Sequence, residues 1–113
     1  MKREFLDYVD DVIGAMNDAM GFVEGMSYDE FARDKKTIYA VVRAVEIIGE
    51  AVKKIPDSIK KKYPEIPWRE MAGMRDKLIH EYFGVNLQRV WRTVREDMPA
   101  LKPLFEKILK DLE

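Results

Sequence analysis

Residues 34–55 read DKKTIYAVVRAVEIIGEAVKKI. Ile38, Val41, Val42, Val45, Ile48, Val52 and Ile55 recur there at three- and four-residue steps, which winds them into one apolar stripe on an α-helix. The spacing predicts a helix over residues 34–54. Pro56 ends it, because a proline ring has no N–H to donate and clashes with the preceding turn. Gly49 sits beside the stripe, where a missing side chain leaves room for a close neighbour helix.

Working outward, Phe5, Val9, Val12, Ile13, Met16, Met20 and Val23 form a second stripe over residues 2–24, stopped by Gly25. Ser27 and Glu30 have the spacing of a capping box, so a short helix starts at Tyr28. On the other side, Asp57 is read as the cap of a short turn through residue 62. Residues 63–67, with Pro64 and Pro67, are read as an extended connection, since a residue before proline avoids the helical region. Pro67 suits the first turn of a further helix, which carries Trp68, Met71, Ala72, Arg75, Leu78, Ile79 and Tyr82 up to a stop at Gly84. Asn86 caps the last helix, whose stripe runs from Leu87 through Val90, Val94 and Met98 to Phe105 and Ile108. Pro99 and Pro103 predict a kink or break near Asp97 and Met98. No segment alternates with a two-residue period, and no repeat or linker divides the chain. The expected fold is all-α, an up-and-down four-helix bundle with short extra helical turns, forming one domain over residues 1–113.

Composition narrows the function. The chain has 113 residues, 47% of them hydrophobic and 36% charged, enough for one core. It has no cysteine, which excludes disulfides and thiolate metal sites, and one histidine, which excludes a multi-histidine zinc site within one chain. No metal and no cofactor are expected. No signal peptide or membrane-length apolar run is visible, so the expected location is cytoplasmic. The net charge of −1 means that any RNA contact comes from local clusters. Lys60, Lys61 and Lys62, Lys53 and Lys54, and Arg89, Arg92 and Arg95 are such clusters, although charge runs are more often plain solvated faces.

One charge interrupts the stripes. Arg75 falls among Met71, Ala72, Leu78 and Ile79, where it must be paired, reach for solvent or face a cleft. A glutamate such as Glu46 or Glu50 is the simplest partner, with Arg43 extending the network. His80 lies about 140° around an ideal helix from Arg75 and shares a face with Asp76 and Gly73. Asp76 could therefore fix the imidazole tautomer. Taken alone, His80 reads as an exposed helix-end histidine and Tyr82 as an ordinary tyrosine at the core edge.

Together, the Arg75-x4-His80-x-Tyr82 pattern resembles the signature of HepT toxins of the HEPN class. Residues 43–51 (RAVEIIGEA), 66–75 (IPWREMAGMR) and 80–85 (HEYFGV) are also similar to HepT sequences, so the resemblance covers nearly the whole chain. It implies the HEPN fold and a metal-independent endoribonuclease acting on RNA as a homodimer. It also implies an MntA-like nucleotidyltransferase antitoxin that adenylylates Tyr82, and a homodimer that can join it in a higher assembly. The implied catalytic residues are Arg75, Asp76 and His80. A lone histidine cannot be base and acid at once, and a two-fold dimer would bring two to one groove. Two other readings stay open: a non-catalytic nucleotide- or substrate-binding subunit of a nucleotidyltransferase, and a purely structural dimeric bundle. Under the structural reading Arg75→Ala should destabilise strongly, by stranding a buried partner.

Overall fold

The stripe at residues 34–54 forms helix α3 (Lys35–Lys54), started by Asp34, whose side chain accepts from the Thr37 amide. The computed structural model describes the backbone of residues 2–79 and 86–112 and the side chains of 5–76 and 86–112. Around α3 lie α1 (Lys2–Phe22), α2 (Tyr28–Ala32), α4 (Asp57–Lys60), α5 (Trp68–Ile79), α6 (Leu87–Arg92) and α7 (Met98–Leu112). Among the described residues there is no strand, and no helix is long and apolar enough to cross a membrane.

Four long rods make the bundle: α1, α3, α5 and the near-continuous rod from α6 to α7. Glu46 of α3 meets Arg75 of α5, while Gly49 lies against Ala72, so numbering rises on one helix as it falls on the other. The same holds between α5 and the last rod: Trp68 stacks edge-on against Phe105, and Met74 faces Arg89. It holds again for α1, where Phe5 neighbours Leu112 and Met20 neighbours Pro99. The order is up-and-down, as expected for an all-α bundle. Val9, Val12, Met16, Val41, Val45, Ile48, Val52, Phe105 and Ile108 are buried at its centre. On α1 the buried face is completed by Ala15 and Ala19, while Ile13 and Met20 are only half-buried.

The turn chemistry is largely as read. Gly25 leaves α1 with φ of +79°, a conformation in which a Cβ is strained. Ser27 and Glu30 make both bonds of the capping box. Asn86 accepts from the Arg89 amide. Three readings change. Asp57 is the first residue of α4 rather than its cap; Pro56 holds that position without a side-chain bond. Residues 63–66 form a tight turn closed by the Ile66 amide on the Tyr63 carbonyl, with Pro64 at the second position that β-turns favour, and are not extended. Of the kink or break expected near Asp97, the break is absent, although the regular α-helix is interrupted there. Thr93–Asp97 widen into a π-helical turn, closed by the Met98 amide on the Thr93 carbonyl, and α7 continues through Pro103. A π turn can accommodate Pro99, which lacks the donor that a regular α-helix would use there. The buried Thr93 hydroxyl donates to the Arg89 carbonyl at 2.9 Å.

Candidate active site

Helix α5 is anchored at its start. The Trp68 indole N–H donates to the Tyr63 carbonyl at 3.0 Å, its ring meets Phe105 with centroids 5.5 Å apart, and Lys60 Nζ lies 5.9 Å from its centre. Met71 then enters the core. One turn further, Arg75 reaches the surface, where α5 crosses α3.

There the Arg75 Nε donates to Glu46 Oε2 at 3.4 Å, and Nη1 lies 3.5 Å from Asp76 Oδ1. Glu46 is shared: Arg43 Nη1 sits 3.5 Å from its other oxygen and 3.8 Å from Glu50 Oε1. The Arg75 side chain is 42% exposed and that of Glu46 24%. Arg75 therefore stands at the edge of the stripe, not at its centre. The predicted glutamate partner is present, but the pair is not buried. Gly49 brings the two backbones close; a Cβ there would lie 3.6 Å from the Ala72 carbonyl oxygen and 3.9 Å from Arg75 Cβ, which is ordinary contact. Gly73 faces open space.

Arg43, Glu50, Lys53 and Arg75 line one shallow depression between α3 and α5. A second groove, between α5 and the π turn, is floored by Met71 and Met74 and holds neither Arg75 nor Asp76. The structure thus joins Arg75 and Asp76, and adds Glu46 and Arg43 behind them. His80 and Tyr82 lie outside the described residues, as does the expected Asp76–His80 bond. The Asp76–Arg75 contact was not anticipated from periodicity, because neighbours in sequence do not share a helix face.

A guanidinium fork held half-exposed by carboxylates, on a helix surface, is chemistry suited to a phosphate. The profile of the family described as Ribonuclease HepT-like matches residues 12–108. The chain belongs to the HepT-like ribonuclease family. It is 54% identical to the "Probable ribonuclease HepT" of Thermococcus cleftensis, over 97% of this chain and 100% of that protein. It is 52% identical to a "Putative RNase" of Methanocaldococcus jannaschii, over 99% of this chain and 97% of that one. A "Putative RNase" of Caldanaerobacter subterraneus is 48% identical over 78% of this chain and 79% of its own length. No solved structure matches the chain. In this HepT-like ribonuclease, Arg75 and Asp76 occupy the start of the motif quoted above, on a helix whose packing points Arg75 at α3.

Proposed function

We propose that this HepT-like ribonuclease is the toxin of a toxin–antitoxin pair, a metal-independent endoribonuclease that works as a homodimer. The observation that carries the reading is Arg75, whose fork is steered by Glu46 yet still open to solvent. In the proposed reaction the RNA 2′-oxygen bonds to phosphorus as the 5′-oxygen leaves. A base removes the 2′ proton and an acid supplies one to the leaving oxygen. His80 from each of two protomers fills these roles. Arg75 stabilises the charge that grows on the phosphate, and Asp76 orients His80. Neutralisation comes from a nucleotidyltransferase antitoxin that adenylylates Tyr82; the anionic adduct would compete with RNA phosphate for Arg75.

RNA cleavage with EDTA present, by wild type and His80→Ala, tests the chemistry. Cleavage by the wild type alone is expected, and equal cleavage by both removes His80 from the mechanism. Protein that binds nucleotide but cuts no RNA in any buffer would instead be the binding subunit of a nucleotidyltransferase. Mass analysis of the peptide bearing Tyr82, after co-expression with the antitoxin, tests the adduct. Neutralised toxicity without adenylate would assign the antitoxin a simple blocking role.

A further inference from the structure

The outer face of α3 carries side chains that the core does not use. Tyr39, Arg43, Glu46, Glu50 and Lys53 fall within about 40° of one direction on an ideal helix. Arg43, Glu50 and Lys53 line the same depression as Arg75, over a floor that includes Gly49 and Ala72. Tyr39 is 69% exposed, the most open large hydrophobic side chain among the described residues. Among those residues it makes no hydrogen bond or ring contact, and the exposed Lys53 makes no ion pair. Neither side chain is used by the core, and Lys53 serves the fold only as a cation in the last turn of α3.

The charges here nearly cancel. Arg43, Lys53 and Arg75 face Glu46 and Glu50, and Asp76 flanks Arg75 from α5. This is no broad positive field, so recognition has to come from placed groups at short range. A bare aromatic ring in line with cations at helical spacing matches what a single strand needs: rings stack on bases and cations meet phosphates. An interface with a second copy would favour a face whose centre is depleted of charge, and this one is charged along its length.

We infer that the outer face of α3 is a subsite for single-stranded RNA. A base stacks on Tyr39, and phosphates meet Arg43 and Lys53 on either side of the one held by Arg75. The subsite rests on the ribonuclease reading above. From Tyr39 to Lys53 the helix rises about 21 Å. At about 3.4 Å per stacked nucleotide that is room for about six nucleotides, and fewer if the strand is extended.

The test measures affinity separately from cleavage. In a His80→Ala background, binding of a short fluorescent single-stranded RNA is followed over a range of salt. Tyr39→Ala should weaken it by roughly five- to a hundred-fold, and Tyr39→Trp should restore it. Lys53→Ala should lower the slope of log K against log salt by about 0.7. Lys110→Ala, an equal charge change on the exposed surface of α7, should leave both unchanged. If the parent binds and the wild type cuts, but Tyr39→Ala and Lys53→Ala bind like the parent, the subsite is wrong and the ribonuclease reading stands. If Tyr39→Ala instead dissociates an oligomer in sedimentation, the face belongs to a second copy and the subsite is again wrong. Wild type that neither binds nor cuts RNA overturns both.

Discussion

Arg75→Ala separates a chemical arginine from a structural one, and the structure sets the size of the effect. Had Arg75 been buried with its partner, truncation would strand a carboxylate and cost about 3–5 kcal/mol. The pair is instead 42% and 24% exposed. Exposed ion pairs contribute about 0–1 kcal/mol. Glu46 is also not stranded, because Arg43 stays 3.5 Å away. The Cβ that packs over Gly49 survives the substitution. We therefore expect a loss of no more than about 1 kcal/mol, or roughly 4–8 °C in Tm for a small domain. Removing a group that stabilises transition-state charge costs about 10²–10³ in kcat. Arg75→Lys should recover part of that, since an ammonium keeps the charge without the fork. Thermal melts and RNA cleavage on the same preparations read both quantities. Undiminished cleavage by Arg75→Ala would remove it from the chemistry. A destabilisation above about 3 kcal/mol would show the pair to be structural and the surface argument wrong.

Two further substitutions test the frame that carries the site. Burial and the bond from its hydroxyl to Asp111, 2.9 Å long, raise the Tyr63 phenol above its ordinary value of 10.0. A raised folded value means that this stabilisation is whole below pH 10 and is lost as pH rises through the folded pKa. Wild-type Tm should therefore fall above pH 10. Tyr63→Phe should lack that alkaline component while being about 0.5–1.5 kcal/mol less stable at neutral pH; identical alkaline melts would refute the assignment. Met71 is 2% exposed where α5 enters the core, so Met71→Ala should cost about 2–5 kcal/mol in urea unfolding, and a change under about 1 kcal/mol would mean that α5 is not anchored there.

What the sequence reveals here is whatever lies within one helix. The stripes of α1, α3 and the last rod can be read, and so can the caps at Ser27 and Asn86, because each depends on residues no more than four apart. Asp57 does not cap α4, because a good capping residue after proline can also open the first turn. The π turn was not legible. Pro99 announces that a donor is missing, but whether the rod breaks or widens depends on Val94 and Met98 being held in the core from other helices. Arg75 shows the same limit. Its spacing put it in the stripe, and only the rotation of α5 against α3 decides that it sits at the edge. Tyr39, off every stripe, was the one signal available for the outer face of α3.

The ion pairs around Arg75 do more than hold two helices together. Glu46 is already held by Arg43 on its own helix, so its rotamer is restricted before Arg75 adds its contact from α5. Fixing a side chain that is already fixed loses little further entropy. Arg75 is thereby aimed at low cost, and its fork remains in contact with water, which a phosphate can displace. Charge stabilisation of a transition state is effective when the donors are in place beforehand and need no reorganisation as the charge develops. A more strongly positive groove would bind nucleic acid more tightly, but through long-range attraction that does not distinguish a single strand from a duplex. Near-neutral surroundings with one oriented arginine give up that general affinity and leave discrimination to short-range contacts. On a chain whose net charge is −1, the proposed site would in this way act on RNA without adhering to all of it.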